Sequence, residues 1–155
     1  MTIQQKSEPY RGYWVLVKDN LARNIPVKPN FVKRPNGRCI VITGCHDFNL
    51  FIYRAKCRDG EIAWHIDEAT SGQGVAIDDS KTGCVVKATS RLSGYGQLST
   101  NKQKERVAYV KKLIADSIGN YGQSPWVAQN KAALQALQDK ERALATRNMD
   151  APGRY

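Results

Sequence analysis

The stretch Phe48–Asp67, "FNLFIYRAKCRDGEIAWHID", decides how the rest of the chain is read. Its first nine residues are rich in aromatic and β-branched side chains, which suit a pleated strand. Asp59-Gly60 follows, a dipeptide that closes tight hairpins because glycine takes positive φ without strain. Ile62, Trp64 and Ile66 then alternate with Ala63, His65 and Asp67, the period of a strand with one core face and one wet face. The stretch predicts an antiparallel hairpin.

Upstream, "GRCIVITG" (Gly37–Gly44) and "GYWVLVK" (Gly12–Lys18) have the same strand chemistry. In "VKPNFVK" (Val27–Lys33), Pro29 has no N–H to donate, which predicts an edge strand or a bulge. "RPNG" (Arg34–Gly37) has the composition of a four-residue hairpin turn. Downstream, "EATSGQGVAIDDSKTG" (68–83) reads as a loop with at most a short extended piece, and "CVVKATS" (Cys84–Ser90) as a final strand. The expected fold is α+β: an antiparallel β-meander of five or six strands over residues 11–90, followed by two C-terminal helices, at least one packed on the sheet.

Thr100 and Gln103 fit a capping box and Gly119-Asn120 fit a helix end, which places the first helix at about 101–118. Its apolar stripe is Val107, Val110, Leu113, Ile114 and Ile118. Ser124 and Pro125 open a second helix over about 125–148. Its band, Trp126, Ala133, Leu137 and Leu144 with Leu134 alongside, is narrow; it suits leaning on the first helix or binding a protein partner or second copy. Residues 1–10 and 149–155 are expected to be flexible ends of a single domain over 11–148. Tyr-Gly-Gln occurs at 95–97 and 121–123, each time before a helix, but the helices that follow differ in cap, charge and apolar band.

The 155 residues carry a formal charge of +10. Residues 1–60 hold 11 basic against 4 acidic side chains, 61–98 hold 3 against 5, and 99–155 hold 10 against 5. Two basic ends around a slightly acidic middle favour a polyanionic partner, since cations that displace condensed counterions gain affinity for phosphates. No apolar run approaches the ~20 residues of a membrane span, and "MTIQQKSEPYRG" has no apolar segment of a signal peptide. A cytoplasmic setting is expected. Cys39, Cys45, Cys57 and Cys84 lack the close pairs of structural zinc sites and are read as reduced thiols.

Three clusters carry candidate nucleic-acid chemistry. Lys33, Arg34 and Arg38 surround the "RPNG" turn, where a β-ribbon presents cations to phosphates. Lys102, Lys104 and Arg106 begin the first helix against its dipole, beside Tyr95, so that helix N–H groups and ammonium groups lie together near glycines. Phe51 and Tyr53 share one face of a strand and Arg54 and Lys56 follow, the residue types of a stacking platform. The H-E-x-x-H, G-K-[ST] and G-x-S-x-G motifs are absent, as are intact cold-shock, OB-type and RNA-recognition signatures. His65, Asp67, Asp78 and Asp79 supply residue types for a metal site without a known spacing.

The leading expectation is a non-enzymatic basic protein, without cofactor or metal, that engages nucleic acid or a nucleoprotein complex, in the manner of a phage or plasmid accessory factor. The alternatives are an inhibitor or adaptor that binds a host complex through Trp126, Ala133, Leu137 and Leu144, and a metal-dependent nuclease.

Overall fold

The structure, a computed structural model, describes residues 3–4, 12–17 and 30–149. In chain order its elements are β1 (Ile3–Gln4), β2 (Trp14–Val17), β3 (Asn30–Lys33), β4 (Arg38–Ile42), β5 (Leu50–Lys56), β6 (Ile62–Glu68) and β7 (Gly74–Asp78). Four helices follow: α1 (Lys81–Leu92), α2 (Thr100–Tyr121), α3 (Pro125–Gln129) and α4 (Lys131–Met149). The chain is α+β, as the sequence predicts. Of the expected flexible ends, Ile3 and Gln4 form β1 and Met149 ends α4; the rest of both ends, and Pro29, lie outside the described residues.

The central hairpin forms as expected. β5 and β6 pair antiparallel from Leu50↔Glu68 to Lys56↔Ile62, and Gly60 turns the chain at φ 86°. β4 and β7 flank this pair, and two-residue β1 extends the sheet beyond β4. The meander is not continuous, however: among the described residues β2 and β3 pair with each other, as a separate two-stranded ribbon. "RPNG" does make a turn, closed by the Gly37 N–H donating to the Arg34 carbonyl at 3.0 Å. It passes the chain from ribbon to sheet instead of joining neighbouring strands.

The segment 74–90 departs most from expectation. β7 is the short extended piece allowed within the segment otherwise read as a loop, whereas "CVVKATS", read as a strand, is helix. Ser80 caps α1, its Oγ accepting from the Gly83 N–H at 2.9 Å. Cys84, Val85, Ala88 and Leu92 then fall at helical spacing on one buried face. Two adjacent valines resemble a strand locally, but a helical stripe that seals a sheet face outweighs that propensity.

Helix ends also shift. Ser99, not Thr100, caps α2: its Oγ accepts from the Lys102 N–H, while Gln103 donates its Nε2 to the Leu98 carbonyl at 2.7 Å. α2 runs past Gly119 to Gly122, whose φ of 87° suits a glycine C-cap and whose N–H bonds the Ile118 carbonyl. Ser124 and Pro125 start a helix as expected, but it breaks after five residues. Asn130 leaves the helical region at φ −111° and ψ 10° between α3 and α4, and donates both its backbone N–H and its Nδ2 to the Trp126 carbonyl.

Both faces of the sheet are covered, contrary to the one-sided reading of Ile62–Asp67. On the first face Ile40, Ile42, Leu50, Ile52, Ile66 and Ala76 pack under α1. On the second, Phe51, Tyr53 and Ala69 pack with Tyr13 and Val15 of the ribbon region and with Trp126 of α3. The rings stack in sequence, Trp126 to Tyr13 at 6.1 Å, Tyr13 to Phe51 at 4.6 Å and Phe51 to Tyr53 at 5.6 Å between centroids. No described helix is long and apolar enough to cross a membrane.

Trp126 is 1% exposed whereas Leu144 is 49% exposed. Trp126→Ala is therefore expected to cost about 3–5 kcal/mol in urea unfolding, and Leu144→Ala less than about 0.5 kcal/mol. Equal costs would contradict this packing.

Candidate nucleic-acid interface

On the first sheet face the buried apolar rows end at Ile52 and Ile66. One register step further stand Arg54 and Trp64, directly paired, and beyond them Lys56 and Ile62. Because side chains alternate between faces, these four project on the same side as Ile52. Arg38, paired with Ile52, joins them from β4. Arg38, Arg54 and Lys56 are exposed, and Ile62 is 53% exposed.

α1 begins over this edge. The Arg54 guanidinium carbon lies 5.5 Å from the Trp64 ring centroid and Lys81 Nζ lies 5.7 Å from it. Cations at such distances from an indole are held by its quadrupole as well as by their stems. Asn36 donates its Nδ2 to the Arg54 carbonyl at 2.9 Å, tying the Arg34–Gly37 turn to β5 beside the patch. Structure thus gathers Arg38, Arg54, Lys56, Lys81, Trp64 and Ile62. Sequence reasoning had Arg38, Arg54 and Lys56 but assigned Trp64 and Ile62 to the core and Lys81 to a loop. The alternation that pairs Trp64 with Arg54 was the available signal.

The other expected residues lie elsewhere. Phe51 (0% exposed) and Tyr53 (5%) project from the opposite face into the aromatic stack, so neither ring is open to a base. Arg34 is on that second face too, 5.2 Å over the Tyr53 ring, while Lys33 is exposed at the end of β3. Lys102, Lys104 and Arg106 are exposed at the start of α2, and Arg106 Nη1 donates to the Ser90 carbonyl at 3.1 Å. Lys104 lines an open groove of about 510 Å³ with Gly44, Asp47, Ser93 and Lys111. Tyr95, 45% exposed, packs across Gly44 at the same end. α1, of length about 18 Å, runs from Lys81 at the patch to Leu92 at this end, so the two basic regions do not converge.

The partner-binding band is also divided. Trp126 is core, Ala133 is half-buried, and Leu137 and Leu144 are exposed.

Behind the patch, on the second face, lies a polar cluster under the ribbon. Tyr53 Oη donates to Asp67 Oδ2 at 2.9 Å, and the Tyr53 ring stacks on His65 at 4.9 Å. Burial raises the Asp67 pKa to about 7, against the opposing pull of the Tyr53 hydrogen bond and the Arg34 charge. Burial likewise lowers the pKa of His65. Tyr53 is pushed up, by burial first and the Asp67 charge second.

The proposed metal set does not assemble. His65 and Asp67 belong to this second face, whereas Asp78, paired with Trp64, belongs to the first and forms an ion pair with Lys87 at 2.8 Å. Among the described residues no three His, Cys, Asp or Glu side chains group as metal ligands. Cys39, Cys45, Cys57 and Cys84 are free thiols.

No protein-family model matches the sequence, and neither a curated protein nor a solved structure is significantly similar to it. The chemistry of the surface is therefore the guide to function.

Asp67 holds its proton in the fold up to about pH 7 but releases it near 3.8 when unfolded. Between those values the folded state binds more protons, so stability falls as pH rises from about 4 to about 7 and is level above. Asp67→Asn cannot ionise and is expected to melt several degrees above wild type at pH 8, at about 2–4 °C per kcal/mol, and close to it at pH 4. Parallel melting profiles across this range would refute a buried, protonated Asp67.

Proposed function

We propose that the protein is a non-enzymatic basic binding protein that engages nucleic acid, alone or within a nucleoprotein complex, through the first-face patch. The observation that carries this reading is the placement of Arg38, Arg54 and Lys56 on one face of the sheet end, with Arg54 and Lys81 over Trp64. Two of these cations are held over an indole ring, which limits the side-chain entropy lost when they meet a phosphate. Four lysine and arginine heads with exposed apolar surface between them are what a phosphodiester chain with accessible bases requires.

Three to four phosphate contacts predict that the logarithm of affinity falls with the logarithm of salt concentration at a slope of about −2 to −4. Replacing Arg38, Arg54, Lys56 and Lys81 together by Ala is expected to abolish binding to labelled oligonucleotides at low salt and flatten this slope. Lys102→Ala with Lys104→Ala, at the other end of α1, serves as the charge control and is expected to change affinity less than about threefold. Unchanged affinity in the fourfold variant would sink the reading.

A protein-binding adaptor or inhibitor is the second reading, favoured by one observation. The side chains of α4 from Gln135 to Thr146 are exposed, Leu137 and Leu144 among them at 42% and 49%. An association made by that helix would persist at high salt and be lost on Leu137→Asp, in contrast to binding at the cationic patch.

A further inference from the structure

The patch has a shape as well as a charge, and its shape selects among nucleic acids. From β4 to β6 it spans two strand spacings, about 10 Å, and from the Arg38 row to the Lys56 row four residues, about 13 Å. Carboxylates fence it on two sides. Asp59 and Glu61 are exposed at the β5–β6 turn, and Asp79 is exposed at the β7–α1 corner, beside Asp78, whose charge is met by Lys87 at 2.8 Å. A backbone laid across the cations has room for one row of phosphates; the second row of a duplex would fall toward these carboxylates.

The floor between the cations is apolar. Ile62 is 53% exposed and Trp64 is partly so, although a phosphate gains nothing from either. Duplex bases are stacked inward and present only edges in the grooves, where a helix or two-stranded ribbon must enter to reach them. Here the floor is the face of a sheet beside α1. Unpaired bases, by contrast, splay onto such floors and stack on aromatic rings or guanidinium planes.

Resting on the reading of this patch as a phosphate-binding surface, we propose that its ligand is a single strand. Phosphates lie on Arg38, Arg54, Lys56 and Lys81, and one or two unpaired bases lie on Ile62 and on the outer plane of the Arg54 guanidinium that Trp64 holds. The indole thereby acts through the cations it holds, fixing Lys81 for a phosphate and the Arg54 plane for a base. The specificity is for strandedness, since stacking surfaces accept every base.

The experiment is a fluorescence-anisotropy titration with labelled oligothymidylate of about 12 nucleotides, a length inside the usual single-strand site range, and a duplex of equal length. The single strand is expected to bind at least about tenfold more tightly than the duplex. Trp64→Leu is expected to weaken the single strand about tenfold and the duplex less than about twofold, with Trp64→Phe restoring most of the loss. Ile62→Glu, at an exposed position that leaves the core intact, is expected to weaken the single strand similarly, which guards against misfolding of the Trp64 variants. Equal affinity for the two probes, or single-strand affinity indifferent to both Trp64→Leu and Ile62→Glu, overturns the single-strand inference while leaving phosphate binding in place. Absence of binding to either probe at low salt overturns both.

Discussion

The pairing of β5 with β6 is the constraint on which the other elements depend. Seven consecutive pairs, Leu50↔Glu68 to Lys56↔Ile62, fix which side chains share a face, and a slip of one residue would exchange every one of them. In this register Leu50, Ile52 and Ile66 meet α1, while Phe51, Tyr53 and Asp67 meet the ribbon and Trp126. The same register brings Arg54 beside Trp64. Fold and candidate interface are two ends of one ladder: where the apolar pairs stop, the cation–indole pair begins.

Two different solutions cover the two faces. α1 supplies a helical stripe of small and branched side chains, Cys84, Val85, Ala88 and Leu92, that lies flat on β6 and β7. The other face is closed by stacked aromatic rings contributed from sequence positions far apart, Tyr13, Phe51 and Trp126. Burial there extends to Asp67, whose hydrogen bond from Tyr53 satisfies one oxygen in a place where an ionised carboxylate is costly. With both faces occupied over the middle of the sheet, Arg38, Arg54, Lys56 and Lys81 stand at the edge of the first face beyond α1.

Local signals were legible wherever the physics is local. The Asp59-Gly60 turn, the strands on either side of it, the Ser124-Pro125 helix start and the excess of cations all follow from neighbouring residues. "CVVKATS" was not, because Cys84-Val85-Val86 has the propensity of a strand and becomes helix only through the sheet face it seals. The "RPNG" turn was legible as a turn, but whether β3 pairs with β4 or β2 depends on contacts across the chain. Of the candidate site, Arg38, Arg54 and Lys56 could be read as cations on strands. Lys81 could not, since it takes α1 folding back from β7 to bring it over the Trp64 ring.

The sequence by itself determined the α+β class, the central hairpin, the alternation of its side chains and the basic surplus at both ends, because each rests on short-range periodicity, turn chemistry or a count. Tertiary structure decided which alternating set is buried and how deeply. A period of two says that Tyr53 and Arg54 face opposite ways; it does not say that Tyr13 and Trp126 will close over one while α1 stops short of the other. Exposure depends on what distant segments pack there, and so aromatic residues expected to meet a ligand form core, while a tryptophan expected in the core stands between two cations at the surface.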